Sequence, residues 1–249
     1  MKLYVLLPIL KNSDLEPVTW EEIKRAVSPG TKFVVDALDF GPASIETYID
    51  EELAAPWIVE KAVRAAKQDY DAIIIDCMGD PALHSVREAV NKPVVGPLIA
   101  TMSIASTLGE KFSIVTVLKE TLPLFSRKVR EYGFNHRLAS VRYVNVPVLD
   151  LEKKRDEVRR LLVEETRKAV EQDGADVAIL GCTGMIGMAR EVQDAVGIPV
   201  IDPGIAQVKY AEMLVSMGIS HSRTSYPTPR PKYRRIPSQF KEVETVSFI

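Results

Sequence analysis

Residues 71–80 read DAIIIDCMGD, and residues 176–185 read DVAILGCTGM. Each stretch begins at an aspartate, passes through a short apolar run of the kind that fills a buried parallel strand, and reaches a cysteine six positions on. Those cysteines, Cys77 and Cys182, are the only two in the chain. The likeness continues downstream, where AVNKPVVGP (89–97) answers AVGIPVIDP (195–203), with two prolines four residues apart in both copies. Self-similarity of this kind signals an internal repeat and predicts two related halves.

Outward from these stretches, β-branched runs alternate with amphipathic ones along nearly the whole chain, the pattern of parallel strands joined by crossover helices. Strands are expected at 2–8, 32–38, 72–77, 94–98, 112–117, 140–146, 177–182 and 199–202. The fold class is therefore α/β: two pseudo-twofold-related lobes, each a four-stranded parallel sheet flanked by helices. Residues 1–108 are expected to form the first lobe and 109–215 the second, with the C-terminal segment 216–249 completing the first. A helix over 152–172 carries Val158, Leu161, Leu162, Glu165 and Ala169 at helical spacing, with Gly174 as its stop. Pro56 is expected to kink or split the helical stretch 44–68. From residue 222 the text RTSYPTPRPKYRRIP is proline-rich and basic, suited to running extended over the body or a neighbouring subunit.

With 249 residues, 46% of them apolar, the chain can bury a sizeable core. Lys plus Arg number 32 against 34 Asp plus Glu, so the charge balance draws neither nucleic acid nor an anionic membrane, and the expected partner is a small molecule. LYVLLPIL near the start is too short to cross a bilayer and no secretory cleavage site follows it, which points to the cytoplasm. In that reducing compartment two cysteines are free thiols, and without CxxC, HExxH or a histidine cluster no metal is expected. GCTGMIG lacks the GxGxxG spacing, so no nucleotide cofactor is expected either.

In open α/β sheets ligands gather beyond the carboxyl ends of the strands, and both cysteines fall at such ends. After Cys77 the text GDP would let Asp80 cap the next helix with Pro81 in its first turn, and Thr183 would do the same after Cys182. A helix N-terminus lowers a thiol's pKa from its usual ~8.5 and stabilises an anion beside it. Two such thiols facing each other across a cleft suit inversion of a carbon centre by proton transfer, one sulfur acting as base on one face and the other as acid on the opposite face. The backbone N–H groups of Met78, Gly79, Thr183 and Gly184 would hold the enolate that forms. A lone cysteine in an α/β core is commonly a small buried hydrophobe; the repeat is what makes this pair a candidate site. His84, on the helix after Cys77, could assist that thiol, although its context suits a solvent-facing position. His136 and His221 carry no partner signal.

Beyond the cysteine contexts, specific text is spread widely: FGPASIETYIDEELAAP (40–56), CMGDPAL (77–83), FSIVTVLKETLP (112–123), GADVAILGCTGM (174–185), PVIDPGIAQVKYAEMLV (199–215) and TPRPKY (228–233). In these stretches the sequence resembles the aspartate/glutamate/hydantoin racemase superfamily, and within it the hydantoin racemase branch, which also contains allantoin racemases. The resemblance implies a cofactor-independent two-cysteine site between two α/β lobes, its cysteine positions falling on Cys77 and Cys182. It also implies that Ser44, Ile45 and Thr116 line the pocket, and that the protein is a homo-oligomer. The chain departs from the family pattern in three places. Many relatives carry an NPN-type signature after the first strand, whereas LLPIL keeps Pro8 but sets Leu7 and Ile9 beside it; Met78 replaces an aromatic residue, and Ile99 an acidic one.

The more apolar pocket these changes imply favours a 5-substituted hydantoin with an apolar side chain over allantoin, whose ureido group is polar. The expected reaction is racemisation of 5-monosubstituted hydantoins. Racemisation of an amino acid such as aspartate or glutamate is one alternative, and a non-catalytic binding module on a racemase scaffold is another.

Overall fold

The computed structural model describes residues 1–232, and these build two four-stranded parallel sheets. In the first, β1 (Lys2–Leu10), β2 (Lys32–Leu38), β3 (Ala72–Ile75) and β4 (Val94–Val95) lie in the order β2-β1-β3-β4. In the second, β5 (Phe112–Thr116), β6 (Leu138–Tyr143), β7 (Val177–Leu180) and β8 (Val200–Ile201) repeat that order as β6-β5-β7-β8. The repeat in the text is thus a repeat in topology. β3 and β7 are buried at every residue, as inner strands covered on both faces must be, whereas β2 and β6 stand at the edges and are only partly buried.

The helices are α1 (Leu15–Ala26), α2 (Tyr48–Ala66), α3 (Leu83–Ala89), α4 (Pro97–Leu108), α5 (Leu122–Glu131), α6 (Arg155–Asp173), α7 (Ala189–Val196) and α8 (Pro203–Ser216). All eight expected strands exist, with shifted ends. The fourth shrinks from 94–98 to Val94–Val95 because Pro97, with its preset φ, opens α4 instead. α6 stops at Gly174, which takes the left-handed conformation at φ +72°. Pro56 does not split α2. The one carbonyl deprived of its donor belongs to Glu52, which is exposed, so solvent can serve it.

Each half lends its last helix to the other. Leu98, Met102 and Ala105 of α4 pack with Phe112, Ile114, Val177 and Ile179 of the second sheet, while Val208 and Ala211 of α8 pack with Leu3, Val5 and Ile74 of the first. α4 and α8 also lie against each other. Beyond α8 the chain returns to the first half. His221 Nε2 accepts the Val94 N–H at 2.7 Å, Arg223 donates to the carbonyls of Arg87, Glu88 and Val90, and Arg87 bonds the Tyr226 hydroxyl. The remainder of the basic proline-rich text, from residue 233 on, lies outside the described residues. Among the described residues no helix is long and apolar enough to cross a membrane.

In each sheet the strand order reverses beside the first strand, at β1/β3 and at β5/β7. Such reversals leave a crevice beyond the carboxyl ends of the two strands, where ligands bind. Register fixes what stands there: Leu6 pairs with Ile75 and Val115 with Leu180, so Pro8 and Thr116 come level with the segments that carry the two cysteines.

Candidate active site

The chain leaves β3 through Asp76–Cys77 and β7 through Gly181–Cys182, and the two exits open on one cavity. Its wall takes Cys77, Met78 and Gly79 from the first half, Thr116, Cys182, Thr183 and Gly184 from the second, and Pro8 and Ile45 beside them. Ser44 is half-buried next to Ile45 but is not among the described residues that line the cavity. Leu7, Ile9, Leu15, Leu124, Phe125 and Val148 make the rest of the wall largely apolar, and none of its described residues is Lys, Arg or His.

The sulfurs are held alike. Cys77 Sγ accepts the Gly79 N–H, and Cys182 Sγ accepts the Gly184 N–H. Neither cysteine, however, stands at the start of an α-helix. α3 begins only at Leu83, after Ala82 in the left-handed region at φ +56°, and a 3-10 turn at Thr183–Met185 separates Cys182 from α7. Thr183 caps nothing; its hydroxyl donates to the Asp76 carbonyl at 3.2 Å.

Asp80 does cap a helix, but a different one. Its carboxylate accepts the N–H groups of Leu98 and Ile99 at the start of α4, both at 3.0 Å, and the Tyr132 hydroxyl at 3.0 Å. Gly96 makes the room, since a Cβ there would lie 2.4 Å from Asp80 Cγ. In the second half Asp202, which replaces Gly96 in the repeat, caps α8 directly through Gly204 and Ile205.

This placement reverses the expected acidity of the thiols. Burial pushes Cys182 up to about 12, opposed by the single Gly184 N–H, and burial likewise holds Cys77 well above its ordinary value. One amide does not offset the water removed from around an anion. A thiol that resists ionisation yields, once ionised, a strong base, which is what removal of a carbon-bound proton requires.

Sequence reasoning missed two carboxyl groups. Asp76 lines the cavity, is 5% exposed, and accepts a hydrogen bond from Gln207 Nε2. Burial raises its carboxyl to about 6, and its charge in turn raises Cys182. A signal was present, because IIIDC and AILGC differ at the residue before the cysteine. Gly181 stands opposite Asp76 in the repeat and has no room for a side chain: a Cβ would lie 2.6 Å from Thr116 Cα. The second group, Glu51, sits in the first turn of α2, and burial raises it to about 7.

Two other residues fall away from the site. His84 is exposed, bonds Glu131 at 3.1 Å and stacks on Tyr226, so it does not serve Cys77. Ile99 packs against the first core while its N–H goes to Asp80, so the departure at that position does not touch the cavity wall.

The family model for Asp/Glu/Hydantoin racemase matches residues 19–211. A hydantoin racemase of Pseudomonas sp. (strain NS671) is 38% identical over 210 residues, 84% of each chain. Another, of Paenarthrobacter aurescens, is 35% identical over 236 residues, which are 93% of this chain and 99% of the relative. Among solved structures, an allantoin racemase from Pseudomonas fluorescens matches with a TM-score of 0.89 at 34% identity, covering 95% of this chain and 100% of that one.

Proposed function

The chain belongs to the Asp/Glu/hydantoin racemase family, and from that premise we propose that it racemises 5-monosubstituted hydantoins by cofactor-independent proton transfer between Cys77 and Cys182. It is a hydantoin racemase-like isomerase; the substrate and the assignment of the two bases are our reading. The planar ring lies between the sulfurs. One sulfur, as thiolate, takes the C5 hydrogen, whose acidity comes from the flanking ring amides. Charge moves onto the C4 oxygen, and the amides of Met78 and Thr183 next to the sulfurs are the nearest candidates to hold it. The other sulfur, as thiol, delivers its proton to the opposite face and completes the inversion.

The observation that carries this reading is that both cysteines reach one cavity from equivalent strand ends, each sulfur held by the amide two residues on. The apolar wall supports an apolar 5-substituent over a ureido group. Lack of a cationic side chain among its described lining residues speaks against a dicarboxylic amino acid as substrate.

The test is polarimetry on a panel of enantiopure hydantoins that includes allantoin, with free aspartate and glutamate beside them, followed by C5 exchange in D2O. Cys77→Ser and Cys182→Ser should each lose racemisation and keep exchange on one enantiomer at most. Full racemase activity in either variant refutes the two-base assignment, and ligand binding without any C5 exchange in the unaltered protein identifies a binding module instead.

A further inference from the structure

Gly79 and Gly184 hold equivalent places, and each gives its N–H to the cysteine two residues before it. What covers them differs. A Cβ on Gly184 would lie 2.9 Å from Leu151 Cδ1 and 3.5 Å from Cys182 Sγ, whereas one on Gly79 would lie 2.3 Å from Glu51 Oε1 and 3.8 Å from Cys77 Sγ. Gly79 is not among the residues with positive φ, so its backbone does not demand glycine. The Glu51 carboxylate occupies the space a side chain there would take. Glu51 Oε1 is buried and has no hydrogen-bond partner among the described residues, an arrangement that costs stability and calls for a functional explanation. Leu151 at the corresponding place shows that the fold itself requires no carboxylate there.

We propose that Glu51 is the proton relay of Cys77, a positioning residue that acts through the thiol and not on the substrate. The inference rests on the two-cysteine reading above. After a turnover in which Cys77 has taken the C5 proton and Cys182 has given its own, both must be reset. The Glu51 carboxylate takes the proton from Cys77, so that an S–H bond breaks, an O–H bond forms and a thiolate remains. The carboxyl then releases that proton to solvent water, while the Cys182 thiolate gains one from water; the reverse sequence reloads Cys77. Glu51 Oε1 and Cys77 Sγ lie 2.3 Å and 3.8 Å from the same point, the place of a Gly79 Cβ, so one bridging water is long enough to join them.

The groups facing Glu51 suit the task. Burial is the dominant influence, Lys128 and Arg127 of α5 favour its charged form, Asp80 and Glu52 oppose it, and the balance near 7 allows exchange with water at neutral pH. Its charge is also felt at Cys77.

The test compares Glu51→Gln, which keeps the shape, with Glu52→Gln, an exposed neighbour on the same turn, as control. Iodoacetamide alkylation of Cys77 and Cys182 is followed by peptide mass spectrometry from about pH 6 to 9. The unaltered protein should show an inflection near 7 in the Cys77 rate, set by Glu51, that vanishes in Glu51→Gln and persists in Glu52→Gln. Cys182 should follow one profile in all three. In racemisation, Glu51→Gln should lower kcat roughly tenfold or more while changing kcat/KM less, because the relay acts after product has left. Circular dichroism checks folding, and Glu51→Leu, which copies the residue at the corresponding place in the second half, should give the same loss of inflection should the glutamine variant not fold. An unchanged Cys77 profile in folded Glu51→Gln protein overturns the proposal whatever the substrate. An inflection in protein that racemises no hydantoin overturns the proposed function and supports the coupling of Glu51 to Cys77.

Discussion

Gly181→Ala tests whether the close approach of β5 and β7 holds Cys182 in place. A Cβ at this position would meet Thr116 Cα at 2.6 Å, its Cβ at 2.7 Å and its backbone N at 2.9 Å. None of these atoms is the end of a flexible side chain, and the φ of Gly181 is not positive, so the conflict is one of space alone. The way out is for β7 to part from β5. Lengthening the closest contact from 2.6 Å to 3.4 Å, where ordinary contact begins, takes about 0.8 Å. The Gly181 N–H bond to the Val115 carbonyl, 2.8 Å long, stretches by a similar amount and passes out of range. A lost hydrogen bond of about 1 kcal/mol and overpacking of about 1–3 kcal/mol give a destabilisation of about 2–4 kcal/mol. The same displacement carries Cys182 away from the ring, and misplacing reacting groups by ~1 Å costs roughly a hundredfold in rate. Urea unfolding measures the first effect and polarimetric initial rates on a hydantoin measure the second. A variant within about 0.5 kcal/mol of the unaltered protein and racemising at full rate would refute the reasoning.

Asp80→Ala leaves the Leu98 and Ile99 amides and the Tyr132 hydroxyl without their acceptor, and should cost about 2–4 kcal/mol in urea unfolding. Gly96→Ala, whose Cβ would lie 2.4 Å from Asp80 Oδ1, should cost less in the Asp80→Ala background than alone; strict additivity would break the link. His221 is held down to about 4, chiefly by burial and despite being a group that ordinarily titrates near 6.5. Its neutral ring, accepting the Val94 N–H, therefore contributes stability that is present above 6.5 and lost as pH falls through about 4. The Tm gap between His221→Ala and the unaltered protein should be open at neutral pH and close toward pH 4, and a gap independent of pH contradicts this. Leu7→Asn with Ile9→Asn makes the cavity wall more polar, so the ratio of kcat/KM for allantoin to that for an apolar 5-substituted hydantoin should rise by roughly tenfold or more, and a fall would count against the apolar-pocket reading.

The strand framework was legible because AIII and VAIL are fully buried strands, whose apolar runs need no partner to be recognised. The cysteine pair was legible because the same text occurs twice. What escaped was whatever depends on contacts distant in sequence. Asp80 read as the cap of the next helix because GDP is a local signal, while its actual partners stand eighteen and nineteen residues on, in room left by Gly96. Thiol acidity was read from the nearness of a helix start, whereas burial decides it, and burial follows from walls built by α1, α5 and Val148. Glu51 had no local mark: its importance lies in a void above Gly79 that only the folded chain creates. Asp76 was readable in principle, since it breaks the match between the two copies.

The exchange of α4 and α8 has a consequence for how the two copies persist together. A fragment ending at Leu108 would display Leu98 and Met102 to water and lack the cover that Val208 and Ala211 provide for its own sheet. Neither copy could be excised and survive as a module, so the duplication became indivisible once the helices had traded places. The α4–α8 seam is thus the spine of the molecule, because parting the two sheets there would uproot both helices.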